Sequence, residues 1–344
     1  MTLAVPEAWT LPAADRFLAA VQRALDDGVA IVGRDSASPP EVSTFLSRHR
    51  ALGDYPSVER IVARPDRSPA QSIAEPFGAV PSLAALTGSA LDQTLAIVDL
   101  SALPDADCDD WTTFVERMTA RRAEHTGGVG IVLTDAPPVL TKRTGHPGQC
   151  WGDHLRRVDL VIWADRHVPS TAPALHGNMA ATLAVELCGW RLDLAEQIAQ
   201  ASIDDLADPL GWLDRREAAA IPDRAIPVDG RSARCPLSLT ADGKAELRGR
   251  IWRAQLMTFY PWLEEQRQDF VALHRRHLKV DEHLRALGVE DVDGIEIGAL
   301  AFQLRDRVGR MDSDRLAMLK RMRNALAHRQ PADPADVATA LRPA

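Results

Sequence analysis

GVAIVGRDSASPPE, residues 28–41, decides how the front half of the chain is read. Gly28–Gly33 is a short apolar run of the kind that forms a strand covered on both faces. An amphipathic helix carrying Phe17, Leu18, Val21 and Leu25 precedes it, a loop Arg34–Pro40 follows, and a second helix is expected from near Glu41. Outward from this stretch the same alternation recurs. Strands are predicted at Val58–Ala63, at LAIVDLS (Leu95–Ser101), at VGIVLTD (Val129–Asp135) and, fifth, at VDLVIWAD (Val158–Asp165). Trp111–Glu124 reads as a crossover helix. Strands alternating with helices predict an α/β domain with a largely parallel sheet.

From Asn178 to Leu213 the pattern turns helical, giving a small lid at the end of a first domain spanning residues 14–213. Ile221–Leu239 is broken by Pro222, Pro227, Pro236 and Gly230, which places a linker over residues 214–239. Residues 240–330 read as an all-α bundle. It has one long helix or two around Pro261, a loop over 288–294, and a helix over Glu296–Arg307. The last helix runs from about Ser313 to His328, capped by Asp312 or Ser313 and stopped by Pro331.

Charge separates the halves. Residues 240–344 hold 18 Lys and Arg against 16 Asp and Glu, while the rest of the chain holds 22 against 32. An acidic front half argues against a broad nucleic-acid surface there, and the back half permits a local basic patch. The four cysteines, Cys108, Cys150, Cys188 and Cys235, are widely spaced. No C-x-x-C or His/Cys pairing is present, so neither a zinc site nor a disulfide framework is indicated. The start, MTLAVPEAWTLPAADRF, lacks a basic region, and no run of about 18 apolar residues occurs. The expectation is a cytoplasmic protein with no membrane segment, no resident cofactor and no metal site.

Strand, loop and helix at residues 28–41 stand where a P-loop ATPase holds its phosphates, and the element order of residues 14–213 resembles the AAA+ and STAND ATPases. By that resemblance Gly33 and Arg34 are remnants of the phosphate loop, Asp99 matches the magnesium-holding acid, and Asp135 matches a sensor position. The chemistry of the loop departs from the family. It lacks the lysine and a second glycine, Pro39 and Pro40 remove two amides, and Asp35 and Glu41 repel phosphate. The implied domain is degenerate and does not hydrolyse ATP. Asp99 and Asp135 also read as helix-capping or loop aspartates, the commoner role of an aspartate behind a buried strand.

KRMRNALAHRQP, residues 320–331, carries the second signal. Arg323-Asn324-Ala-Leu-Ala-His328 resembles the R-N-x-L-A-H form of the HEPN family, helical domains many of which are ribonucleases in host defence and RNA processing. The resemblance implies RNA as partner, a homodimer through the helical domain whose two motifs form one composite site, and Glu296 as a group orienting Arg323. The residue types suit metal-free RNA cleavage: histidine moves protons near neutral pH and arginine holds phosphate. Arg267…His274 and Arg276…His283 also fit an arginine–x6–histidine spacing, so Asn324, the Leu-Ala spacing and the late helix are what single out Arg323–His328. On an ideal helix Arg323 and His328 lie about 140° apart, so their meeting at one phosphate requires fraying before Pro331 or the motif of a second chain. The alternative is that Asn324 and His328, at i and i+4, are a surface or capping pair in a non-catalytic bundle.

Two further clusters have plain structural readings. Trp252, Leu256, Phe259, Trp262 and Leu263 recur at helical spacing and read as core. His274–His277 with Lys279 reads as a solvated helix end. The function expected from sequence is an RNA-directed effector, a ribonuclease or an RNA binder, regulated by an inactive ATPase-like domain. The alternatives are a non-catalytic adaptor docking a partner ATPase or nuclease, and an ATP-responsive switch.

Overall fold

The structure, a computed structural model, describes residues 7–26, 28–34, 37–48, 55–104, 108–124, 127–216, 226–228, 231–239 and 243–342. Asp35, residues 217–225 of the expected linker and Thr240 lie outside them. The chain divides into two compact units, Met1–Asp159 with Ile226–Arg231, and Leu160–Ala225 with Ser232–Ala344.

In the first unit α1 (Pro12–Asp26) leads into β1 (Val29–Gly33), followed by α2 (Val42–Arg48), β2 (Ser57–Val62), α3 (Pro69–Ala74) and α4 (Leu83–Leu86). Then come β3 (Thr94–Asp99), α5 (Asp109–Glu124), β4 (Gly130–Ala136) and α6 (Pro138–Thr144). The four strands expected at these places form a wholly parallel sheet ordered β1-β4-β3-β2. Alternate residues serve opposite faces, as the pleat demands. Val29, Ile31, Ala96, Val98, Ile131 and Leu133 join a core with Ile73, Trp111, Val115 and Met118 from α3 and α5. Ala30, Val32, Leu95, Ile97 and Val132 are buried on the other face, and α1 and α2 pack against the strands as well. Sheet burial on both sides explains why these strands read as unbroken apolar runs. β2, at one edge, is the exception, with Val62 exposed and Arg60 bonded to the Thr44 hydroxyl at 2.6 Å.

The fifth expected strand is a helix. Val158–Asp165 lies in α7 (Arg157–His167), where Asp159, Leu160, Trp163 and Ala164 are buried while Val158 and Val161 are about half exposed. That is the helical period, which six or seven apolar residues alone do not distinguish from a strand. Asp159 starts the helix: its carboxylate accepts from the Arg156 amide (2.7 Å), the Ala13 amide (2.9 Å) and the Arg16 guanidinium. One fully buried anion thereby satisfies the N-termini of both α7 and α1. The free edge of β1 is met instead by Gln149, bridged in parallel to Val32. Gly33 allows that approach, since a Cβ there would lie 2.9 Å from the Cys150 sulfur.

The division between units falls inside α7. The second unit continues with α8 (Ala174–Glu186), α9 (Leu192–Ala199), α10 (Ile203–Ala207) and α11 (Pro209–Asp214). β5 (Ile226–Val228), which groups with the first unit, and β6 (Arg231–Ala233) are two short paired strands; beyond them α12 (Lys244–His274) runs as one continuous helix through Pro261. The bundle closes with α13 (Glu282–Ala286), α14 (Ile297–Leu304), α15 (Arg310–Ala327) and α16 (Pro334–Leu341). The helices expected as a lid on the first domain are thus grouped with the C-terminal bundle. α8 lies along α12, with the Thr182 and Thr258 hydroxyls 2.7 Å apart and Arg253 paired to Glu186 at 2.9 Å. Arg250, almost fully buried on α12, donates to the Leu187 carbonyl (3.1 Å), the Arg234 carbonyl (3.0 Å) and Glu246 (2.5 Å). A buried guanidinium whose two terminal nitrogens are both hydrogen-bonded fixes one arrangement of these elements.

α15 begins at Arg310, three residues before the expected start at Ser313. Gly309, extended and with no side chain, is the N-cap in place of Asp312 or Ser313, and the Ser313 amide bonds its carbonyl. α16 was not expected from sequence, although Asp333 caps it and Pro334 occupies its first turn, a regular start signal.

Candidate functional site

Two places collect the chemistry-bearing residues. The first is the carboxyl edge of the parallel sheet, where open α/β sheets usually bind ligands. Gly33 ends β1, Asp99 ends β3, and Asp135 sits one residue before the end of β4. Arg34 follows β1, exposed, its amide bonded to the Ala136 carbonyl at 2.7 Å. The β1–β4 register slips between Ile31 and Gly33, so Thr134 and Asp135 oppose a single residue. Asp135 takes the left-handed conformation there, with φ 54°. Such bulges re-aim a side chain, and aspartate is among the few non-glycine residues that tolerate this backbone. Burial, and then the neighbouring Asp99 carboxylate, push the Asp135 carboxyl above its usual range, while Arg34 opposes the shift. Asp99 also accepts the Ser101 amide at 2.8 Å, a local turn contact. The edge therefore brings Arg34, Asp99 and Asp135 within electrostatic reach.

An acid whose folded pKa is raised holds its proton more tightly in the folded state. Its ionisation costs stability above that raised value, and the cost disappears as pH falls toward the usual 3.8. Asp135→Asn is accordingly expected to stabilise the first unit at neutral pH. The group is half exposed, so after solvent screening the gain is on the order of 0.5 kcal/mol. Thermal unfolding at pH 7 and at pH 4 checks it: the gain should be present at the first and gone at the second.

The second place is the end of α15. Leu316, Leu319, Met322 and Leu326 face the core, which turns Arg323, Asn324 and His328 outward to different degrees. Arg323 is 41% exposed and donates to Glu296 at 2.6 Å, the cross-bundle ion pair implied by the family resemblance. Glu296 is the residue from which α14 starts, so the pair joins two helices. Arg323 opens onto a small cleft shared with Tyr260, Glu264 and Arg267. In that cleft Glu264 binds Arg267 at 2.8 Å, a contact that holds the Glu264 carboxyl below its usual range.

Asn324 faces elsewhere, into a cleft of about 390 Å³ between α14 and α15. His328 borders neither cleft. It is the exposed C-cap of α15, its amide bonded to the Asn324 carbonyl at 3.0 Å. Arg329 then takes φ 59°, ending the helix. Trp252 Nε1 donates to the Leu326 carbonyl at 2.8 Å and Gln255 accepts the Ala332 amide at 2.7 Å, so α12 fixes this terminus from below. One chain thus holds the three motif residues at one helix end but opens Arg323 and Asn324 onto different clefts.

Sequence reasoning missed the lining of the larger cleft: Phe302, Arg305 and Lys320, together with Arg321, which is bonded to Asp336 at 2.6 Å. Phe302 sits in an apolar run and reads as core, yet Ile297, Leu300 and Leu304 are the buried set of α14 and Phe302 is 75% exposed. Periodicity within those eight residues carried that signal. Among the described residues no group of three His, Cys, Asp or Glu side chains is placed to hold a metal ion, and no helix is long and apolar enough to cross a membrane. No protein-family model, curated protein or solved structure matches this chain.

Proposed function

We propose that the chain is an RNA-directed effector of the HEPN type, whose C-terminal bundle cleaves RNA without metal and whose α/β unit regulates or docks it, in a cytoplasmic defence or stress system. The observation that supports this most is the Arg323–Glu296 pair. A surface arginine beside the motif asparagine is held by a carboxylate from another helix, which pre-orients a phosphate-binding group. His328 stands on a helix end open to solvent, a position from which an imidazole exchanges protons with a substrate. In the reaction the 2′-hydroxyl loses its proton to a base and attacks the adjacent phosphorus. The P–O5′ bond breaks, and the departing O5′ takes up a proton. The products are a 2′,3′-cyclic phosphate and a 5′-hydroxyl. Arg323 offsets the charge on the phosphate oxygens and His328 carries the proton. Because Arg323 and His328 diverge on one helix, the site is completed by the motif of a second chain.

Labelled RNA incubated with the full chain in EDTA tests the proposal: cyclic-phosphate ends that appear with protein and diminish on dilution support it. Intact RNA at every protein concentration sinks the nuclease. The divergence of Arg323 and Asn324 onto separate clefts favours the second reading, a non-catalytic adaptor for a partner protein, and that reading would then stand.

For the α/β unit we infer a degenerate ATPase-like core, supported by the parallel order β1-β4-β3-β2 and by Asp99 and Asp135 at its carboxyl edge. ATP is expected to bind weakly or not at all, since no lysine follows β1 and Pro39 and Pro40 lack amide protons. Calorimetric titration with magnesium and ATP checks this. Micromolar affinity with turnover would restore a working site and make Asp99 a metal ligand.

A further inference from the structure

The cleft between α14 and α15 combines three features that the motif does not explain. Phe302 projects a mostly exposed ring at its rim. Arg305 and Lys320 line it as exposed cations with no ion pair or hydrogen bond among the described residues, unlike Arg321, which Asp336 neutralises. Asn324 adds an amide able to donate and accept at the same wall. Along α15 the lining residues Ser313, Ala317, Lys320 and Asn324 recur at three- and four-residue spacing, which is one face of a helix. The next position on that face, four residues beyond Asn324, is His328.

We propose that this cleft seats single-stranded RNA, one base stacked on Phe302, flanking phosphates on Arg305 and Lys320, and the strand running along α15 toward His328. The inference rests on the RNA-directed reading above and names where that RNA lies. Unpaired cations supply the phosphate contacts, which carry most sequence-independent affinity. An exposed aromatic ring supplies a stacking surface that any unpaired base can use but a base held inside a duplex cannot reach. An acidic peptide would use the two cations and leave the ring without a function.

The test uses the full chain and a short fluorescein-labelled RNA, 2′-O-methylated throughout so that binding is read without cleavage. Fluorescence anisotropy is followed across a salt series. The same strand as a duplex, and an abasic strand of equal charge, serve as comparisons. The wild-type chain is expected to bind the single strand more tightly than either. Arg305→Gln with Lys320→Gln should weaken binding and flatten the logarithmic salt dependence by roughly 1 to 1.5. Phe302→Ala should weaken binding of the base-bearing strand roughly 5- to 100-fold and leave the abasic strand unaffected. All three side chains are exposed, so circular dichroism should show the variants folded. Wild-type binding of RNA that neither set of variants alters overturns the cleft while leaving the RNA-directed reading intact. No binding of any strand by the wild-type chain overturns both.

Discussion

His328→Ala is expected to reduce RNA cleavage by the full chain about 10²- to 10⁴-fold, the usual contribution of a positioned proton-transfer group. Its thermal unfolding should stay close to that of the wild type. His328 is the exposed C-cap of α15, and the hydrogen bond that closes the helix there comes from its backbone amide, which alanine keeps. Arg323→Ala should reduce cleavage by about 10²- to 10³-fold, as for loss of one preorganised donor. It breaks the ion pair to Glu296, but both side chains are substantially exposed, so the stability cost stays below about 1 kcal/mol. Glu296→Gln separates orientation from charge. If Glu296 only positions Arg323, the variant should keep the fold and lose part of kcat, with KM for RNA little changed. A His328→Ala protein that cleaves RNA at the wild-type rate would end the nuclease proposal.

Trp151→Ala should destabilise the first unit by about 3–5 kcal/mol, the range for truncating a fully buried large aromatic side chain. Trp151 is 0% exposed and packs edge-on to Trp9, with ring centroids 4.8 Å apart, and to Phe17, at 6.0 Å. Trp9 in turn stacks on Phe45 at 4.0 Å and donates its Nε1 proton to the Pro40 carbonyl at 3.1 Å. Removing the Trp151 indole therefore loosens the segment before α1, α1 itself and α2 together. Trp151→Phe should cost much less. It keeps an aromatic ring in the cluster, and the indole N–H it removes has no hydrogen-bond acceptor among the described residues. Denaturant unfolding followed by fluorescence measures both variants. A Trp151→Phe cost as large as that of Trp151→Ala would mean that ring volume is not what holds the cluster.

What the sequence shows of this fold depends on the range of each interaction. β1, β3 and β4 were legible because each strand is covered on both faces, so almost every residue is apolar and the run stands out against its turns. α1 and α5 were legible from a local period. From sequence only a family resemblance pairs Glu296 with Arg323, since 27 residues separate them and only the packing of α14 on α15 brings them to 2.6 Å.

Sequence by itself determined the parallel α/β front, the helical back, the wide angle between Arg323 and His328 on the last motif helix, and a loop after β1 whose chemistry departs from phosphate binding. Tertiary structure decided the rest. Val158–Asp165 became helix because one buried carboxylate, Asp159, satisfies amides at two helix N-termini, a pairing across 146 residues that no local window contains. Helices 174–214 joined the C-terminal bundle because α8 packs along α12 and Arg250 finds its carbonyl partners there. The charge of the α14–α15 cleft was decided in the same way: packing supplies Asp336 to neutralise Arg321, while Arg305 and Lys320 have no ion pair among the described residues, so local cation content alone does not set it.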